Sequence, residues 1–223
     1  LFLSAGSVIQ GMERGMHHTT HPDHTTNPQD MRQMGGLRKK MPLTFWVYLI
    51  GALALAGIAP LAGFFSKDEI LLSAWQTRPA VFIVLAVAAF LTAFYMGRQL
   101  IMVFFGKPQT KPAEHATESP LVVTIPLLIL AVLSVLGGLL NFPGMHTLEN
   151  WLSHTLGEGE PAHFNFLVAG ISLFLALCGL ALAWLVYSRK PAAEQPDPLS
   201  KGLGPIFKGM ERKWWVDEIY QAL

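Results

Sequence analysis

Two residues of opposite charge, Lys67 and Asp68, stand side by side within a long apolar stretch of this 223-residue chain. An ionisable side chain is costly inside a membrane segment, so such residues normally face a protein interior and mark an ion path. A lysine in a dry site can lose and regain its proton near neutral pH, and the carboxylate of Asp68 or of a neighbouring helix would favour its charged form. The pair could therefore hold and pass on a proton. Lys67 could equally snorkel to the far interface, and spacing alone does not separate these two interpretations.

The segment that carries the pair contains a predicted helix break, Gly57-Ile-Ala-Pro60-Leu-Ala-Gly63. Pro60 lacks a backbone donor and clashes with the preceding turn, and the glycines let the chain leave helical geometry. Without a break, residues 42–72 would form a helix of about 46 Å, longer than a hydrocarbon core of about 30 Å. A broken helix at this depth is tolerated where it is buried in protein or lines a polar cavity. The sequence therefore places the charged pair just after a broken helix.

Other candidates carry weaker signals. Arg98 lies near one end of the next apolar segment, where snorkelling is the favoured interpretation, and Thr92 and Tyr95 could share its helix face. One loop carries four histidines: His17, His18, His21 and His24. Their spacing can bind a metal in a flexible loop, but a solvated loop is the favoured interpretation. No phosphate-binding loop, cysteine cluster or nucleophile triad is present, so no metal or cofactor site is predicted in this chain.

The residues that must position these side chains are concentrated in apolar blocks long enough to cross a bilayer. Hydrophobic residues make up 52% of the chain and charged residues 14%, against about 25% charged residues in a soluble domain. Backbone groups in a bilayer core must be paired internally, and period-2 alternation is absent, so the blocks are predicted to be helices. The predicted order is the end of a transmembrane helix (1–12), a cytoplasmic His-rich loop (13–41), a broken transmembrane helix (42–72), three further transmembrane helices (80–105, 121–140 and 164–187) and an amphipathic helix (199–223). The fold class is therefore predicted to be all-α, a polytopic transmembrane bundle.

Lysine and arginine residues lie almost entirely on one side of this predicted bundle. Loop 13–41, loop 106–120 and the tail after residue 188 together carry thirteen of them, whereas the opposite side carries Arg78 alone. Since cytoplasmic loops are enriched in positive residues, the side with thirteen is predicted to be cytoplasmic. The tail also mixes basic residues with Trp214 and Trp215, which is typical of a helix lying at the membrane interface. A connector between two spans is the alternative for the tail.

The stretch QDMRQMGGLRKKMPLTFW, followed by GALALAGIAPLAGFFSKDEIL, closely resembles the NADH-quinone oxidoreductase subunit L (chain 5) family. This family comprises the distal antiporter-like membrane subunit of respiratory complex I. The opening LFLSAGSVIQ and the closing WWVDEIYQAL fit the same family, and both look like parts of interrupted helices. The chain is therefore expected to be a fragment from the C-terminal half of such a subunit.

The resemblance implies a fold and roles that the composition did not show. The spans would be the eleventh to fifteenth helices of an antiporter-like, inverted-repeat fold, present here in part. Lys67 would be the lysine of the broken helix in a central hydrophilic axis, and Asp68 the acid beside it, toward the proton exit. The tail would begin a long lateral helix that runs along neighbouring subunits.

The expected function is that of a proton-translocating membrane subunit of NADH:quinone oxidoreductase, driven by quinone reduction elsewhere in the complex. The chain itself would perform no redox chemistry, hold no cofactor and bind no NADH. Its expected partners are the other membrane-arm subunits, especially the adjacent antiporter-like subunit, and the lipid bilayer. The expected location is the inner (plasma) membrane of a bacterium, rather than the mitochondrial inner membrane. The large subunit of a multisubunit sodium/proton antiporter, a non-transporting anchor subunit and a membrane-bound hydrogenase subunit remain as alternatives.

Overall fold

The computed structural model describes residues 1–17, 26–141, 151, 164–188 and 197–222. Its α-helices, numbered in chain order over these residues, are α1 (Phe2–His17), α2 (Pro42–Ala56), α3 (Ala62–Thr77), α4 (Pro79–Phe104), α5 (Lys111–Glu114), α6 (Leu121–Leu136), α7 (Phe166–Tyr187), α8 (Leu199–Glu211) and α9 (Val216–Ala222). No strand occurs among the described residues. The all-α class predicted from the sequence is confirmed.

Within the described residues, three helical stretches are long and apolar enough to cross a membrane: Pro79–Phe104, Leu121–Leu140 and Phe166–Tyr187. The last four residues of the second lie in a short 3-10 helix, Gly137–Asn141, that continues α6. The predicted span 42–72 is divided between α2 and α3, which confirms the predicted broken helix. Many large apolar side chains of α4, α6 and α7 point outward, for example Val84, Val122 and Leu185, as expected of surfaces that face lipid.

Helices α4 and α7 form the closest pair of the bundle, because small residues line their contact. A Cβ atom added at Gly97 would lie 2.7 Å from the Cβ of Ala183, and one added at Gly179 would lie 2.6 Å from the carbonyl oxygen of Phe90. Ala93 is fully buried at the same contact. Close backbone approach through small residues is how transmembrane helices gain packing energy without a hydrophobic driving force.

The first turn of α2 is held by a carboxylate from a distant loop. Glu118 accepts hydrogen bonds from the backbone N–H groups of Leu43 (2.9 Å) and Thr44 (3.3 Å), and from the Thr44 hydroxyl. The unpaired N–H groups of a first turn favour an anion, so Glu118 acts as an N-terminal cap for α2. The Ser7 hydroxyl joins this cluster through Thr44 (2.9 Å) and Ser119 (2.7 Å), which ties α1 to the start of α2.

The tail, residues 197–222, is helical but not one straight helix. Gly204 leaves helical geometry within α8 (φ 45°, ψ −114°), directly before Pro205. The chain turns again at Lys213–Trp215, where three successive residues have positive φ angles. Apolar side chains such as Ile206, Trp214 and Tyr220 are exposed along the tail. The tail is therefore helical with two changes of direction that the sequence pattern did not reveal, and its amphipathic, interfacial character stays a prediction.

Candidate functional site

The break between α2 and α3 begins with a helix end that glycine makes possible. Gly57 adopts the left-handed conformation (φ 83°, ψ 39°). Its N–H donates to the carbonyl of Ala54 (3.1 Å), and the next N–H, of Ile58, donates to the carbonyl of Leu53 (3.0 Å). This is the Schellman arrangement, in which a left-handed residue turns the chain away and satisfies two carbonyls of the last turn. The carbonyl of Leu55 receives neither of these bonds.

Lys67 supplies the partner of that carbonyl. It lies in the second turn of α3, and its side chain reaches back across the break so that Nζ donates to the Leu55 carbonyl oxygen. The side chain passes close to Gly57, where an added Cβ would lie 3.0 Å from Lys67 Cδ. The C-terminal end of a helix carries partial negative charge, and a cation there is stabilised by about 0.3–2 kcal/mol. The ammonium group thus caps α2, although it belongs to α3.

Gly63 allows the two halves of the broken helix to approach closely. A Cβ atom at this position would lie only 1.9 Å from the carbonyl oxygen of Ala54. Any larger residue would push the first turn of α3 away from the last turn of α2. The absence of a side chain at Gly63 therefore brings Lys67 within reach of Leu55.

A cleft of about 360 Å³ lies beside Lys67, between α2, α3 and α6. Ser66 and Lys67 provide polar atoms of α3, Gly51 and Leu55 line the α2 side, and Ser134 lies on α6. The remaining wall is apolar. A cavity of this size with several polar groups is large enough for several water molecules, since one needs only about 10–15 Å³ of accessible space. Lys67 therefore borders a cleft that can hold water.

Asp68 points to a different side of α3. It is only 3% exposed, and its Oδ1 accepts no hydrogen bond from the described residues. Helix spacing places it on the same face as Phe64 and Leu72, a face that packs on α4 and α7 through Phe82 and Val168. No ion pair joins Lys67 and Asp68 in the part of the chain that the structure describes. The two adjacent side chains thus face different sides of one helix.

The structure places Arg98 in an ion pair. Its Nη2 lies 2.7 Å from Oδ2 of Asp197, at the start of the tail. Of its predicted neighbours, Thr92 donates to the carbonyl of Ala88 (2.7 Å), and Tyr95 is largely exposed. The structure thus gives Arg98 a specific partner, and snorkelling of Arg98 stays a prediction. Of the four histidines, His17 ends α1, whereas His18, His21 and His24 lie outside the described residues.

Two carboxylates that cap helix starts, those of Asp197 and Glu118, were not predicted from the sequence. Asp197 precedes Pro198 and Leu199, a pattern typical of a helix start, so its capping role could have been read from the sequence. Glu118 precedes the helix α6, but it caps α2, which lies 75 residues earlier. No local signal connects those two elements.

Comparison with known proteins supports the relationship that the motif suggested. Residues 1–92 match a family model described as "NADH:quinone oxidoreductase/Mrp antiporter, TM". This region contains the break, Lys67 and Asp68. NAD(P)H-quinone oxidoreductase chain 5 of Picosynechococcus is 36% identical over 99% of this chain. The chloroplastic subunit 5 of Chlorokybus atmophyticus is 37% identical over 99%, and subunit L of Neisseria meningitidis serogroup A is 35% identical over 99%.

The chain is a homologue of the subunit L (chain 5) proteins. It spans about a third of their length, covering 36% of the cyanobacterial relative and 34% of the algal one. The matches to these subunits extend across the described helices to the tail, beyond the residues that the family model covers. The matching family model describes an antiporter-like transmembrane region, and the apolar helices independently indicate a membrane-embedded protein.

Proposed function

We propose that this chain is part of a proton-translocating membrane subunit of an NADH:quinone oxidoreductase, and that Lys67 holds the proton in transit. The observation that carries the proposal is the position of Lys67 Nζ on the open C-terminal end of α2, beside a cleft. Charge on Nζ is stabilised there by the helix end, so a small separation of α2 and α3 would favour release of the proton. In such an arrangement, Lys67 Nζ can alternate between holding the proton and releasing it.

Asp68 is proposed to accept the proton on the other side of α3. Its buried Oδ1 lies on the face packed against α4 and α7, whereas Lys67 faces α2 and the cleft. Transfer between the two would carry a proton across α3 from one environment to the other. A buried carboxyl with an unpaired oxygen has the capacity to take up a proton, because its charged form is poorly stabilised there.

Quinone reduction and NADH oxidation are proposed to take place in other subunits, which supply the driving force. In the described residues, no group of three or more His, Cys, Asp or Glu side chains is placed to hold a metal. The expected partners are the other membrane-arm subunits, including an adjacent antiporter-like subunit. We place the protein in the inner membrane of a bacterium as a multi-pass subunit, with its Lys- and Arg-rich loops in the cytoplasm.

The test uses the full-length subunit in the purified complex, reconstituted in vesicles. Lys67→Ala is expected to lower the number of protons pumped per electron while the assembled amount of complex stays normal. Lys107→Ala is the matched control, because Lys107 is an exposed loop lysine. Equal pumping by both variants at equal assembly would reject Lys67 as the proton-holding group and would favour a non-transporting anchor subunit.

A sodium/proton antiporter subunit is the second candidate, because the matching family model names both protein types. The curated relatives described above are named as quinone oxidoreductase subunits, which favours the first candidate. Measurement of NADH-driven proton uptake in membranes distinguishes the two. Proton uptake that requires an imposed sodium gradient and not NADH would support the antiporter.

A further inference from the structure

The tail leaves the bundle at a cluster of three side chains from three different elements: Arg98 of α4, Tyr187 at the end of α7 and Asp197 before α8. Arg98 Nη2 lies 2.7 Å from Asp197 Oδ2, and the Tyr187 hydroxyl donates to Asp197 Oδ1 at 2.9 Å. The Arg98 guanidinium also lies over the Tyr187 ring, 5.3 Å from its centroid. We refer to Arg98, Tyr187 and Asp197 as the clasp.

Asp197 performs two tasks with one carboxylate. Besides binding Arg98 and Tyr187, its Oδ1 accepts from the backbone N–H of Leu199 (3.0 Å), and its carbonyl accepts from the N–H of Ser200 (2.9 Å). The side chain therefore starts helix α8 and fixes that start to the ends of two spans. Because one rigid carboxylate binds Arg98 through Oδ2 and the first turn of α8 through Oδ1, the direction of that turn depends on the position of Arg98.

The side chains of the clasp ion pair are mostly buried in the bundle. The Asp197 side chain is 11% exposed and that of Arg98 is 27% exposed. Leu199, next along the tail, packs against a buried cluster that includes Ile101 and Ala183 of α4 and α7. An ion pair with little exposure is costly to break on one side only, because the remaining charge stays without a partner.

A second ion pair in the tail provides a contrast. Lys213 lies 3.0 Å from Asp217, but their side chains are 77% and 63% exposed. Ion pairs this exposed contribute little to stability, because water and salt screen them. Of the two, the Arg98–Asp197 pair alone joins the tail to the spans.

We infer that the clasp is a docking device that fixes where, and in which direction, the amphipathic tail leaves the membrane bundle, with Arg98 and Asp197 as its positioning residues. Further along, the tail exposes Met210, Trp214 and Ile219. The α4–α7 pair that holds the tail also packs, through Phe82 and Val168, on α3, the helix that carries Asp68. Loss of the clasp is therefore expected to disturb proton transfer as well as the tail. That second consequence rests on the proposed function, whereas docking of the tail does not.

The test measures tail docking directly in the full-length subunit within its complex. Nitroxide labels at Lys107→Cys, just after α4, and Ser200→Cys, in α8, are introduced into a Cys178→Ala background, and their separation is followed by pulsed EPR. Asp197→Asn keeps the size of the side chain but removes its charge, and it is expected to broaden a narrow distance distribution severalfold. Asp217→Asn makes the same change at the exposed pair and is expected to leave the distribution narrow. An unchanged distribution in Asp197→Asn would overturn the inference.

Two further measurements keep the result decisive. If Asp197→Asn fails to assemble, Arg98→Lys, which keeps the charge but loses the planar fork, is expected to broaden the same distribution, and a narrow one again overturns the inference. Protons pumped per electron are then compared at equal assembly, with a drop expected for Asp197→Asn and none for Asp217→Asn. A broadened distance with unchanged pumping would support docking and reject the role in proton transfer. A null result for Lys67→Ala would reject the proposed function and leave the distance measurement intact.

Discussion

The close approach of α3 to α2 makes Gly63→Ala the sharpest test of the broken-helix site. An alanine Cβ would lie 1.9 Å from the carbonyl oxygen of Ala54 and 2.8 Å from its carbonyl carbon. Carbon and oxygen atoms in favourable contact are about 3.3 Å apart, so α3 must retreat by about 1.4 Å. The Ala54 carbonyl has little freedom to turn aside, because it also accepts from the Gly57 N–H at the end of α2.

The expected cost combines two opposing effects. Overpacking of this kind costs about 1–3 kcal/mol, whereas replacing glycine by alanine within a helix gains up to about 1 kcal/mol. The net loss of stability therefore lies between about 0 and 3 kcal/mol, and the 1.9 Å contact with backbone places it toward the upper part of that range. A retreat of about 1.4 Å also exceeds the tolerance of a hydrogen bond, so the contact from Lys67 to Leu55 should be lost.

The assay compares thermal stability and proton pumping of the assembled complex. Gly170→Ala is the control for helix propensity, since an added Cβ meets nothing within 4 Å there. Gly137→Ala is the control for a neighbouring position, since its Cβ would make ordinary contact with the Ala62 Cβ at 3.7 Å. Gly63→Ala should lower both the melting temperature and the pumping ratio, and the two controls should lower neither. If Gly63→Ala behaves like the controls, the close approach does not position Lys67.

Three further predictions follow from described contacts. Glu118→Ala removes the cap of α2 and should destabilise the subunit by about 1–2 kcal/mol in thermal unfolding, without changing pumping per assembled complex. Gly57→Ala places a Cβ on a residue in the left-handed conformation, in close contact with Lys67 Cδ. It should lower the free energy of unfolding by about 1–2 kcal/mol in thermal unfolding and should also lower pumping. Burial would raise the pKa of Asp30, but the hydrogen bonds and charge of Arg32 outweigh it and hold that pKa below 3.8. The stability that the ionised Asp30 contributes is therefore fully present above pH 3.8 and is lost as the pH falls through the lowered pKa of the folded protein. The free energies of unfolding of Asp30→Asn and the native protein, measured as a function of pH, should therefore become equal in acid.

Features that depend on neighbouring residues in the chain were predictable from the sequence. The break follows from Gly57 and Pro60, because a left-handed glycine and a missing donor act locally whatever surrounds them. The apolar spans likewise follow from composition and length. The kink at Gly204 rests on the same chemistry, in a glycine followed by proline, yet the amphipathic pattern of the tail concealed it.

Features that depend on the rotation of a helix about its axis were not predictable. Lys67 and Asp68 are adjacent in sequence, and only the packing of α3 decides that one faces the cleft and the other faces α4 and α7. The ion pair of Arg98 was likewise not predictable, because its partner Asp197 lies 99 residues away. An arginine at the end of a span is equally compatible with snorkelling. Capping carboxylates that act across long separations are invisible to a periodicity argument for the same reason.

The contact between Lys67 and Leu55 links protonation to the geometry of the break. A charged Nζ is stabilised by the carbonyl end of α2, and a neutral amine is stabilised less, so protonation draws the two halves together. By reciprocity, any motion that separates α3 from α2 must favour release of the proton by the same free energy. The charge–helix interaction bounds this coupling at about 2 kcal/mol, or about a thirtyfold bias between the two states. A bias of that size is enough to direct a proton but too small to trap it, which fits the role that we propose for Lys67.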